Sequence, residues 1–102
     1  MLKVMSLMKR REDMSLEDFR NWATIEHPPL AKELPGLRGY RMNVAVQENP
    51  DAPYDAVSEM WFDDDAARAA AFATDAGKAA GGDAAGHCSS RFHLLTEEAI
   101  FI

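Results

Sequence analysis

Two consecutive prolines, Pro28 and Pro29, interrupt a segment that otherwise reads as one amphipathic helix. Leu16, Phe19, Trp22, Ala23, Leu30 and Leu34 keep helical spacing across the interruption. Ser15 stands where an N-cap belongs, with Asp18 in the capping-box position and Glu17 in the first turn. Neither proline has an N–H, so the carbonyls of Thr24 and Ile25 lose their helical donors. Pro28 also biases His27 away from α geometry. An interior proline costs a helix about 3 kcal/mol or more, and two in succession are hard to absorb as a kink. The first helix is therefore predicted to stop near Glu26. A short second helix should begin with a proline in its first turn and run to about Leu34. His27 falls at the junction, partly buried and facing a cavity, beside the positive end of the new helix, where a protonated ring is disfavoured. A neutral imidazole there can act near pH 7 as a base, an acid or a hydrogen-bonding hook. The alternative is a cap or packing residue with no chemistry.

The rest of the chain reads as strands around a second helix. Residues 2–9 form a strand that is apolar on both faces, with Val4 and Met8 sharing one of them and Met5 and Leu7 adding to the apolar set. After the turn "LPGL", residues 37–47 alternate, with Tyr40, Met42, Val44 and Val46 on one face and Arg41, Asn43 and Ala45 on the other. "ENPDAPYD" is a loop by its Asn, Pro and Asp content. Residues 56–62 make a third strand in which Val57, Glu59 and Trp61 share a face. The acidic run "DDD" caps an alanine-rich helix from about Asp64 to about Thr74. Gly77, Gly81, Gly82 and Gly86 predict a loose stretch, and residues 92–101 a fourth extended segment with Thr96, Glu97 and Glu98 in its middle.

The order β-α-β-β-α-β with short connections implies an α+β, ferredoxin-like domain over residues 1–102: a four-stranded antiparallel sheet with both helices on one face. That leaves the other sheet face open although the first strand is apolar both ways. A two-fold homodimer, sheet against sheet, would cover it.

Charge excludes some partners. With 11 Lys and Arg against 17 Asp and Glu, the net charge is -6 and no basic stripe offsets it, so nucleic acid is not expected. The start "MLKVMSLMKRR" does not read as a signal peptide, and no apolar run approaches a membrane span. A single cysteine, Cys88, permits no intrachain disulfide. These features favour the cytoplasm. "HCSSRFH" brings His87, Cys88 and His93 close, but nothing else completes a ligand set, so no metal is expected. Phosphate loop, nucleophile elbow and dinucleotide fingerprint are all missing, which implies an activity without nucleotide, nicotinamide or other cofactor.

One set of residues is more specific. Ser15, Glu17, Phe19, Trp22, His27, Pro29, Gly36, Leu37, Tyr40 and Asn43 stand in the order S-x-E-x-F, W, H-x-P, G-L, Y, N. "VSEMWFDD" and "LLTEEAIFI" follow as an E-x-W-F strand end and an acidic closing strand. In this the chain resembles the EthD family, named for a protein tied to ethyl tert-butyl ether degradation. The resemblance implies a dimeric α/β barrel, two ferredoxin-like units joined through their sheets. Some relatives resemble cofactor-free isomerases of muconolactones, others dehydratases or small oxygenases. The isomerising relatives carry a cysteine between the Glu and Trp of the third strand. Met60 stands there in this chain, which argues against a thiol-assisted reaction.

The candidate catalytic residues are His27, Tyr40 and Glu59. Tyr40 can supply a phenol to a developing oxyanion, or be a core aromatic on its strand. Glu59, set between Val57 and Trp61, is either buried with a raised pKa or ion-paired, with Arg41 or His27 as partner. Trp22, Asn43 and Trp61 are candidate substrate-binding residues, Trp61 as the wall of a pocket for a flat ligand or as a core side chain. The ligand would be a hydrophobic or aromatic small molecule. Two functions fit: a cofactor-free isomerase, dehydratase or oxygenase using His27 as acid and base, or a non-catalytic binding protein supporting a monooxygenase pathway.

Overall fold

A computed structural model describes residues 1–102. Strand β1 (Leu2–Arg10) leads into helix α1 (Leu16–Asn21), a π turn (Trp22–Glu26) and helix α2 (Pro28–Ala31). Strands β2 (Gly39–Val44) and β3 (Ala56–Phe62) follow, then helices α3 (Asp65–Phe72) and α4 (Asp75–His87) and strand β4 (Cys88–Thr96). The four strands form one sheet in the order β2-β3-β1-β4, and every neighbouring pair is antiparallel. This is the ferredoxin-like arrangement expected from the element order. No helix is long and apolar enough to cross a membrane.

Strand alternation sets what each face carries. Val4, Ser6 and Met8 of β1 and Ala56, Ser58, Met60 and Phe62 of β3 are buried on the side that meets the helices. Their apolar members pack in two clusters, one with Phe19, Trp22, Ala23 and Ala84 and one with Leu34 and Ala71. The other face has no covering layer. There the register lines up Val57, Leu7 and Phe92 in one row and Glu59, Met5 and Leu94 in the next.

Ser15 caps α1 as expected, its Oγ accepting the Asp18 N–H at 3.0 Å. The proline break differs in form from the expectation. His27 keeps α geometry (φ -76°, ψ -41°) in spite of Pro28. Its N–H reaches back five residues to the Trp22 carbonyl at 2.8 Å, so the chain widens into a π turn before the prolines. The widened turn accommodates a residue that a regular turn would exclude. Helix α2 then starts at Pro28 and ends at Ala31, short of Leu34.

Three further boundaries move. Strand β2 ends at Val44, and Val46 lies beyond it, 90% exposed. The glycine-rich stretch is the longest helix, α4, not a loose segment. Thr74 caps it by accepting the Gly77 N–H, and Asp75 and His87 place charge of the favourable sign at its two ends. Gly77 is required by contact: a Cβ there would lie 2.5 Å from the Ala71 carbonyl oxygen and the Phe72 Cα. Strand β4 begins at Cys88 and stops at Thr96, so Glu97 and Glu98 fall outside it.

Candidate functional site

A cavity opens between the helix side of the sheet and the helices. Its empty space is about 370 Å³, counted out into the open solvent at its mouth. Its floor includes Ser6, Tyr40, Ser58, Arg91 and His93 from the strands, and its roof includes His27 and Ala84. Apolar side chains supply most of the lining, as small-molecule sites require, with a few polar groups among them.

The most developed polar group centres on Asp83. His27 Nδ1 lies 2.8 Å from Asp83 Oδ2, and Trp22 Nε1–H donates to the same oxygen at 3.0 Å. The carboxylate can only accept, so Nδ1 carries the proton and Nε2 is the free nitrogen of the ring. Nε2 makes no hydrogen bond within the protein, nor is it sealed among the buried polar atoms left without a partner. The Trp22 ring packs against His27 at 4.8 Å between centroids and stacks on His87 at 4.6 Å. His87 Nδ1 in turn bonds the Asp83 carbonyl at 2.7 Å, which ties the carboxylate's helix to the same group.

The π turn makes this convergence geometrically accessible. In a regular α-helix, residues five apart point about 140° away from each other. The wider turn between Trp22 and His27 brings both rings to one carboxylate. The double proline and the π turn thus belong to the site's construction: they break the register that would have separated the two side chains.

Two further groups show the effect of burial. The Tyr40 hydroxyl is buried without a hydrogen-bond partner. Burial pushes its pKa up to about 12, so it remains a donor at neutral pH. His93 stands across β1 from Ser58, paired in register with Ser6. Burial, reinforced by the nearby cations Arg91 and Arg68, holds its ring below the usual histidine range and therefore neutral. The Cys88 thiol is pushed up to about 11, mainly by burial, and is not a poised nucleophile.

The sheet divides the residues singled out from the sequence. His27 and Tyr40 line the cavity, and Trp22, 1% exposed, backs His27. Glu59, Asn43 and Trp61 lie on the opposite, open face. Glu59 pairs there with Lys3 at 2.6 Å and accepts from Asn43 at 3.2 Å. The Lys3 hydrogen bond first, then the Asn43 bond and the charges of Lys3 and Arg41, hold its carboxyl below the usual range despite partial burial. Neither a raised pKa nor a pairing with His27 is found, and Arg41 acts on it only at longer range. Trp61 lies over Gly39, with Lys3 4.9 Å and Arg41 5.1 Å from its ring.

Asp83 escaped the sequence reading because it lies 56 residues from His27 in a segment whose glycines hide the helix. Arg91 likewise carries no sequence signal, and the sequence offers His93 only as one member of an incomplete metal-ligand set. No three His, Cys, Asp or Glu side chains converge in metal-binding geometry.

A family model for the EthD domain matches residues 11–88, and this chain belongs to the EthD family. No curated protein sequence matches it. Among solved structures, an ethyl tert-butyl ether degradation family protein from Bacillus halodurans is 29% identical with a TM-score of 0.81, covering 97% of this chain and 99% of its own. A protein from Arabidopsis thaliana superposes over 100% of this chain and 99% of its own, at 16% identity and a TM-score of 0.78. A dimeric ferredoxin-like protein of unknown function from Thermobifida fusca covers 93% of this chain and 88% of its own, at 15% identity and a TM-score of 0.75. The last two similarities bear on the fold.

Proposed function

We propose that the chain works as a homodimer that takes a hydrophobic or aromatic small molecule between sheet and helices and moves a proton on it with His27, without a resident cofactor. The observation that carries this reading is the 2.8 Å bond from His27 Nδ1 to Asp83, which leaves Nε2 unpaired on a residue that lines the same cavity as Tyr40, whose buried hydroxyl has no partner. A carboxylate that fixes one ring nitrogen orients the other as a base. Proton abstraction beside a carbonyl by Nε2 leaves an enolate, whose oxygen can accept the Tyr40 O–H. Return of that proton at another carbon gives an isomer. Departure of a neighbouring hydroxyl, with that proton, as water gives a dehydrated product. Electrons balance in both without an oxidant.

The homodimer is supported by the uncovered sheet face, where Met5, Leu7, Val57, Phe92 and Leu94 meet no second layer. A protein of the same fold from Thermobifida fusca is described as dimeric.

Thermal shift against aromatic lactones, quinones and phenols will find binders, because a ligand of the native state raises its melting temperature. Turnover of a hit should fall roughly 10²-fold or more in His27→Ala. Binding that occurs with no turnover in the wild type, and that His27→Ala only weakens, would replace the catalytic reading with that of a binding protein.

A further inference from the structure

The cavity's polar groups are unbalanced. Among its 15 lining residues there is no Asp and no Glu, although the chain carries 17 acidic residues. The donors are left over instead. Arg91 makes no salt bridge and no hydrogen bond, whereas Arg10, Arg11, Arg38 and Arg68 each pair with a carboxylate. Arg20 donates to the Ala45 carbonyl, and Arg41 sits over Trp61 on the opposite face. The Tyr40 O–H has no acceptor either. Register fixes where the cation stands: Arg91 pairs with Met8, whose side chain is buried on the helix side. A second copy seated on the open face would therefore not supply its missing partner.

We propose, on the footing of the pocket reading above, that the ligand is a small organic anion whose carboxylate or equivalent oxyanion is held by Arg91. Guanidinium binds such groups through two parallel hydrogen bonds, a geometry that a lysine does not reproduce. Tyr40 and Arg91 stand on the two outer strands, three strand spacings apart, and Arg91 lies in the row of Val44, four residues along from Tyr40, which puts them roughly 20 Å apart at the backbone. One small group cannot meet both. The molecule that satisfies both donors is elongated, anionic at the β4 end, and carries a carbonyl or hydroxyl oxygen toward β2. His93 beside Arg91, kept neutral, adds no second cation there and can accept or donate one hydrogen bond.

The test is calorimetric titration of the intact protein with 4-hydroxybenzoate and with its uncharged counterpart, 4-hydroxybenzyl alcohol. The acid should bind at least tenfold more tightly, and raising the salt concentration should narrow the gap, since Arg91 is exposed at the cavity's mouth. Arg91→Gln should remove the preference and leave the alcohol's affinity unchanged; Arg91→Lys should restore part of it. Arg91 bonds nothing in the protein, so these variants keep the fold, and a thermal melt verifies that. Equal affinity for the two probes, no effect of Arg91→Gln on the acid, or no binding of the acid would each overturn the proposal. The two readings fail separately. Binding of both probes that is blocked by filling the cavity but indifferent to Arg91 keeps the pocket and removes the anion. An Arg91-dependent preference with turnover unchanged in His27→Ala keeps the anion and removes the acid–base role.

Discussion

His27 shows how much of a site one side chain can disclose. The prolines mark it in the sequence as a place where regular helix ends, and the structure makes it part of the cavity lining, 7% exposed. The sequence does not disclose what holds it, because Asp83 reaches it only through the packing of α4 on the π turn. Glu59 shows the opposite failure. Its alternation with Val57 and Trp61 is a true strand pattern, but periodicity does not say which face meets the helices, and a polar partner on a third element, Lys3, decided its environment. For His27→Ala we expect a stability loss of about 1–3 kcal/mol from the lost ring packing and charged hydrogen bond. The Trp22 bond to Asp83 remains and leaves no orphaned carboxylate. Denaturant titration measures this, and a loss well above that range would make the ring chiefly structural. Tyr40 gives a pH test. Its folded value of about 12 lies above the ordinary 10.0, so between those values the folded state holds a proton that the unfolded chain has released. Stability should therefore fall as pH rises through 10 and level off near 12. Absorbance titration should show a late-ionising phenol that Tyr40→Phe removes; a full complement of phenolates by the ordinary value would contradict the burial.

At the scale of elements, the legible ones are those whose periodicity reflects burial. Strand β3 alternates in burial because one side meets helices, β1 is apolar on both sides, and the boundaries of both were readable to within a residue. Helix α4 was not, because composition argued against it. Four glycines weaken intrinsic helicity by about 1 kcal/mol each relative to alanine, and tertiary contact with α2, α3 and β4 offsets that. The π turn has no sequence signature beyond the prolines that follow it. The glycines of α4 should separate cleanly by mutation. Gly77→Ala forces a Cβ against backbone atoms of α3 and should destabilise by about 1–3 kcal/mol. Gly82→Ala meets nothing within 4 Å and should stabilise by roughly 0.5–1 kcal/mol. Thermal melts of the two variants check the sign, and a stabilising Gly77→Ala would mean that α3 and α4 pack less closely than described.

For the molecule as a whole, the decisive question is what covers the sheet. On a lone chain Phe92 is 56% and Leu94 48% exposed, beside Met5 and Leu7 of the neighbouring strand. Contiguous apolar surface of that kind is a recurrent mark of an interaction site. The polar island of Lys3, Glu59 and Glu98 lies on the same face, and its short ion pairs would fix the register of a partner more than they would add affinity. Two copies related by a two-fold axis present each patch to itself, which closes the assembly and leaves no sheet face open. Phe92→Glu discriminates this arrangement from a monomer with a merely apolar surface. In a monomer the substitution exchanges one half-exposed side chain for another and should move stability within about 0.5 kcal/mol. In the dimer it buries a carboxylate against its symmetry mate, and the dissociation constant should rise roughly 100-fold or more. Sedimentation velocity across micromolar concentrations reads this directly: the wild type should run as a dimer and the variant as a monomer with an unchanged circular dichroism spectrum. A wild type that sediments as a monomer at these concentrations would leave the sheet face without a partner and overturn the assembly.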